Sequence, residues 1–211
     1  MRFACSAALF FTSKMILAWR HPKVNPLLPG KPSLTASKVA LYFNAMGYFL
    51  LAGSFTGHGH KILSSLAKFL RSFGFPVHLS SELHPVDPKS YTPEEARRAS
   101  FRAVEGASAI LFVALSPETL GISSGQRDIT GGWAFELGAV YALRQRGQSK
   151  LAAFLFDGKG IRLWCSSLLR GQWLGEDLEA VMENPGDLRE LQNLAFQLCL
   201  SLEARLKKRT S

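Results

Sequence analysis

The sequence predicts an α/β protein, a parallel sheet with helices on both of its faces. Three observations predict it. Short and nearly continuous apolar runs occur at Tyr48–Gly53, Pro76–Leu79, Ala109–Leu115 and Leu151–Phe156. A strand buried on both faces reads this way, because neither face meets water. Stretches with helical spacing of apolar residues lie between those runs, and alternation of strand and helix is the signature of a parallel sheet. The chain also has the material for a core: 211 residues, 47% apolar and 19% charged.

Each element follows in order. Tyr48–Gly53 is the first strand, and it ends in a glycine-bearing turn, Ser54 to His60. Ile62, Leu63, Leu66, Phe69, Leu70 and Phe73 make a helical stripe over 60–73, which Gly74 stops. Pro76–Leu79 is the second strand, followed by a polar loop over 80–92 with Pro85 and Pro88. Thr92 as N-cap with Pro93 at the first helical position starts a helix that runs to about Glu105. Ala109–Leu115 is the strongest strand, and a loop over 116–130 follows it. Gly131–Arg146 is helical, Leu151–Phe156 is a strand, and Ile161–Cys165 is expected as a further short strand. Leu188, Leu191, Leu194, Leu198 and Leu202 mark an amphipathic helix over about 186–208. In such sheets ligands sit beyond the carboxyl ends of the strands, which selects the loops 53–60 and 116–132.

Charge and composition exclude several classes. Wholesale disorder is excluded by the apolar content. The net charge of +9 is carried by the ends of the chain. Residues 1–46 hold six basic residues and no acid, and Arg205, Lys207, Lys208 and Arg209 add four more. The remainder has 15 basic and 16 acidic residues, so the body is nearly neutral. A nucleic-acid reader carries a basic stripe on its folded domain, so no nucleic-acid partner is expected. No apolar run reaches the length of a spanning helix, so no membrane partner is expected. Cys5, Cys165 and Cys199 are too few for a disulfide framework, and a reducing, cytoplasmic setting is expected.

Residues 1–45 read as a basic, poorly ordered extension, and 46–211 as a single α/β domain with a C-terminal helix. The extension has an apolar run at Phe3–Phe11 and a Pro-rich stretch from His21 to Pro32. A signal peptide, a transit peptide and a true start at Met15 or Met46 are the competing readings. No metal or cofactor is expected. His58 and His60, and His78, Glu82 and His84, lack the spacing of a recognised metal site. Gly57-x-Gly59 lacks the rest of a dinucleotide fingerprint.

The most informative segment runs from Asp128 to Leu143. Glu136 is the only acid between Asp128 and Asp157, early in a mostly apolar helix, among Trp133, Phe135, Leu137 and Val140. A carboxylate in that setting is costly unless a cleft solvates it or donors hold it. Gly131 and Gly132 allow another group to approach. On pattern alone two readings stand: an ordinary first-turn Glu facing water, or a functional carboxylate in a cleft.

Gly132-x-x-x-Glu136-Leu137-Gly138-x-x-Tyr141-Ala142-Leu143 resembles the catalytic helix of the nucleoside 2-deoxyribosyltransferase family, which includes deoxynucleoside 5′-monophosphate N-glycosidases. The run Tyr48 to Gly57 resembles the family's opening strand and Gly-Ser turn. The resemblance covers about residues 46–156. It implies a flavodoxin-like, three-layer α/β/α fold with a mainly parallel sheet of about five strands. It implies N-glycosidase or N-deoxyribosyltransferase chemistry on a small-molecule nucleoside or nucleotide, with Glu136 as nucleophile and Asp128 as a second carboxylate. Gly53, Ser54, Phe55, Gly57, Gly131, Gly132 and Tyr48 would line the substrate, and a homo-oligomer would be the working form. Two positions depart from the family: Ser108 or Ala109 stands where an Asp is usual, and Tyr48 falls one or two residues ahead of the family's strand Tyr. A non-catalytic nucleotide-binding module and a TIR-like NAD hydrolase are the alternatives.

Overall fold

In the computed structural model the described residues are 47–54, 57–83, 92–122, 131–162 and 177–210. Five strands form one all-parallel sheet: β1 (Tyr48–Ala52), β2 (Val77–Leu79), β3 (Ala107–Ala114), β4 (Leu151–Phe156) and β5 (Leu178–Val181). Their order is β2-β1-β3-β4-β5, the flavodoxin-like arrangement. The helices are α1 (Gly57–Ser72), α2 (Pro93–Gly106), the single turn α3 (Pro117–Leu120), α4 (Gly131–Gln145) and α5 (Leu188–Thr210).

Successive side chains of a strand point to opposite faces. Phe49 and Leu51 of β1 therefore join Leu63, Leu66 and Leu70 of α1 and Leu191, Leu198 and Leu202 of α5 in one core. Leu50 and Ala52 join Val104 of α2 and Leu137, Val140 and Leu143 of α4 in the other. The sheet is the middle layer of three, with α1 and α5 on one face and α2 and α4 on the other.

Local chemistry sets the ends of these elements. The Thr92 hydroxyl accepts the Glu95 N–H at 3.3 Å, and the Glu95 carboxylate accepts the Thr92 N–H at 2.9 Å. This reciprocal cap starts α2 where the sequence expects it. Gly74, at φ +90°, turns the chain out of α1 toward β2. Arg144 at the end of α4 forks onto the buried Asp177 carboxylate at 2.5 and 3.0 Å, which ties α4 to the start of β5.

Two expectations are corrected. The fifth strand is Leu178–Val181, not Ile161–Cys165. Ile161 and Arg162 are helical, where the Arg162 N–H donates to Gly158 O, and 163–176 lies outside the described residues. The loop expected over 116–130 begins instead with α3, capped by the Ser116 hydroxyl on the Thr119 N–H at 3.2 Å. Among the described residues no helix is long and apolar enough to cross a membrane.

Candidate active site

The carboxyl ends of the strands carry Gly53 and Ser54 after β1, Ser80 after β2, Ser116 after β3 and Asp157 after β4. The amino end of α1 meets the same edge of the sheet. Gly53 is a glycine because nothing larger fits: a Cβ there would lie 2.9 Å from both the Val113 carbonyl oxygen and Leu63 Cδ1. Gly59 is confined in the same way, since its Cβ would come within 2.8 Å of the Ser54 side chain. The two glycines let the first turn of α1 sit directly against the strand end.

Glu136 lies in the second turn of α4 and is 2% exposed. Of the two readings the sequence leaves open, the solvent-facing one is excluded. Burial drives its carboxyl pKa from 4.5 up to about 7, opposed by a hydrogen bond from the Ser80 side chain. Removing water from a carboxylate disfavours its charged form, and a donor favours it. Among the described residues no cation or second carboxylate contributes to its titration. Oε2 of Glu136 is buried and has no hydrogen-bond partner among the described residues. Buried polar atoms almost always have partners, so an orphaned carboxylate oxygen at the carboxyl edge of the sheet calls for a reason.

Ser80 is a residue the sequence reading missed. It is 3% exposed and begins the single 3-10 turn that follows β2. Its one sequence signal is positional: like Ser54, it is a serine just beyond the carboxyl end of a buried strand.

Tyr48, expected among the substrate-lining residues, lies away from the carboxyl edge. It opens β1 at the amino end of the sheet, four positions and about 13 Å of strand from Ala52. Its hydroxyl donates to the Ala103 carbonyl at 2.7 Å, and its ring meets His78 edge-on. Gly106 makes room for it, since a Cβ there would come within 2.9 Å of the hydroxyl. Leu50 and Ala52, the later β1 residues on the face of Glu136, are apolar and buried, so β1 brings no side-chain donor to that carboxylate. Ser108 lies near the amino end of β3, far along that strand from the carboxyl edge.

The remaining expected residues are placed as follows. Gly53, Ser54 and Gly57 lie at the β1–α1 junction. Gly131 and Gly132 open α4 one turn ahead of Glu136. Phe55 and Asp128 lie outside the described residues. Asp157 is the other buried carboxylate of this edge, 1% exposed, and its oxygens receive the N–H groups of Ser116 at 2.9 Å and Gly186 at 2.8 Å. It is fully engaged in holding two loops, whereas Glu136 is not. A shallow groove of about 510 Å³ between α2 and α4 is lined by Arg97, Arg98, Phe101, Arg102 and Phe135. Glu136 is not among its lining residues.

No protein-family model matches the chain, and neither does any curated protein. Among solved structures, a 2-deoxyribosyltransferase from Bacillus psychrosaccharolyticus is similar at 20% identity over 72% of this chain and 95% of that one, with a TM-score of 0.47. A diflavin flavoprotein A3 from Nostoc sp. is similar at 12% identity over 78% and 97% of the two chains, with a TM-score of 0.44.

Proposed function

We propose that this protein cleaves or exchanges the N-glycosidic bond of a small nucleoside or nucleotide, with Glu136 as nucleophile. One observation carries the reading: a carboxylate buried at the carboxyl edge of a flavodoxin-like sheet, with one oxygen that has no partner among the described residues. The resemblance of the Gly132–Leu143 segment to the deoxyribosyltransferase helix names the chemistry. The glycine-lined start of α1 supports a place for the sugar or its 5′-substituent, with backbone N–H donors at a helix amino end.

In the reaction Oε2 attacks the anomeric carbon while the C–N bond to the base breaks, and the base leaves with the bonding electron pair. Positive charge builds on the sugar in the transition state, and an ionised carboxylate stabilises it. The departing base takes up a proton, for which Asp128 is the candidate donor. The resulting glycosyl ester is resolved at the same carbon. Water places its hydroxyl there as the bond from that carbon to Oε2 breaks and the Glu136 carboxylate leaves with the electron pair, and the water's remaining proton restores the donor, giving hydrolysis. A second base attacks there instead in transfer. Because Oε2 is buried, the groups that cover it must yield to the sugar.

The test is a base-release assay on the full chain with deoxynucleosides, their 5′-monophosphates and NAD, beside Glu136→Ala. Release by the wild type and none by the variant supports the reading, and the active substrate fixes the branch. Nicotinamide release from NAD alone would replace it with NAD hydrolysis. No release, with nucleotides raising the melting temperature, would replace it with a non-catalytic nucleotide-binding module.

A further inference from the structure

We infer that Ser80 is the positioning residue for Glu136: its hydroxyl holds one carboxylate oxygen from the end of β2 and leaves Oε2 as the reacting atom. The inference rests on the nucleophile reading above for its catalytic consequence, and on the structure for the contact itself. Both residues are nearly fully buried, at 3% and 2% exposure, and they come from different layers of the fold. Glu136 belongs to a helix of one face, and Ser80 to the turn that ends an edge strand of the sheet.

A carboxylate in an apolar pocket has two needs, a fixed orientation and some compensation for lost water. β1 cannot meet either, since its residues facing Glu136 are Leu50 and Ala52. Among the described residues, none of the titratable groups on the elements packed against α4 is a cause of the shifted titration of Glu136, among them Tyr48 on β1 and Arg98, Arg102 and Glu105 on α2. Burial and the Ser80 hydroxyl are its causes among the described residues. Ser80 has a single proton to donate, so it engages one oxygen. The other oxygen is the one without a partner among the described residues.

The experiment compares wild type, Ser80→Ala and Ser80→Thr as full chains. The first readout needs no substrate: the Glu136 carboxyl is titrated by carbon NMR and assigned by its absence in Glu136→Gln. Loss of the donor is expected to move the Ser80→Ala midpoint upward, and Ser80→Thr, which keeps the hydroxyl, to restore it. The second readout is base release, where Ser80→Ala should lose on the order of tenfold in kcat with KM nearly unchanged, the scale of one hydrogen bond to a charged group. An unchanged midpoint in Ser80→Ala overturns the inference whether or not base is released. A loss confined to KM, or a Ser80→Thr protein no better than Ser80→Ala, overturns it as well. A shifted midpoint in a protein that releases no base would sink the glycosidase reading and keep Ser80 as the residue that sets Glu136.

Discussion

The Asp157 carboxylate at the end of β4 accepts the Gly186 N–H at 2.8 Å with one oxygen, and the Ser116 N–H at 2.9 Å with the other. It therefore joins the turn after β3 to the turn before α5. Asp157→Ala strands two N–H groups at this junction, of which that of Ser116 is buried and that of Gly186 partly so. Each unmet buried donor costs about 1–3 kcal/mol. The expected result is a stability loss of roughly 2–5 kcal/mol, read as a lower urea midpoint at unchanged m-value. Asp157→Asn keeps one acceptor and should lose less.

Gly53 tests the close approach of α1 to the strand end. A Cβ at Gly53 would sit 2.9 Å from the Val113 carbonyl oxygen, which belongs to the sheet and has little room to move. Gly53→Ala is expected to lose about 1–3 kcal/mol, the usual cost of overpacking a core. Gly57→Ala introduces no such clash, but Gly57 lies at φ +52°, so its cost is backbone strain. Thermal melts of the two variants separate steric cost from strain, because only Gly53→Ala should also shift the amide resonances of Val113 and Leu63.

Most of the sheet is legible in the sequence because four of the five strands are buried or nearly so. The runs at β1, β3 and β4 are apolar throughout, and their shortness and the turn residues that bound them mark them as strands. β5 escapes notice because it is a four-residue edge strand that carries Glu179, paired with Arg162 in the structure. A strand with one face toward solvent loses the unbroken apolar signal. Glu136 stands out in the sequence as a lone acid in an apolar helix, and its burial is the property that pattern cannot give. Ser80 is illegible for a related reason: its role depends on a helix that begins 51 positions later, at Gly131, laying Glu136 beside the end of β2. Tyr48 shows the converse. It lies in the expected strand, and only the direction of that strand puts it at the wrong end of the sheet.

Glu136 should cost the protein stability. Its carboxyl is raised from 4.5 to about 7 by burial. Between those pH values the folded chain keeps a proton that the unfolded chain has released. Stability from this group is therefore full below about 4.5, falls as pH rises toward about 7, and is lost above it. The penalty at high pH is about 3 kcal/mol by the linkage relation. Glu136→Gln removes the ionisation. It is expected to match the wild type near pH 4 and to exceed it by an amount that grows up to about pH 7 and then stays level. A stability difference independent of pH between urea titrations of the two proteins would refute this.

Under the proposed nucleophile role, the same ionisation would govern activity in the opposite sense. In the proposed reaction only the carboxylate attacks the anomeric carbon, so the free protein would gain competence as Glu136 loses its proton. Below about pH 7 the base-release kcat/KM should rise about tenfold per pH unit, and above it should level off. The acidic side of this profile belongs to Glu136, so it moves with Ser80→Ala and stays fixed with His78→Ala, whose ring packs on Tyr48 at the other end of β1. The profile also separates two roles for the buried carboxyl. A group that acts as an acid would give falling activity through the same pH range, because it works in its protonated form. A rising limb whose midpoint coincides with the loss of stability in the urea titrations would tie both effects to one proton, since the group that is costly to ionise in the folded chain is then the group that must be ionised to react.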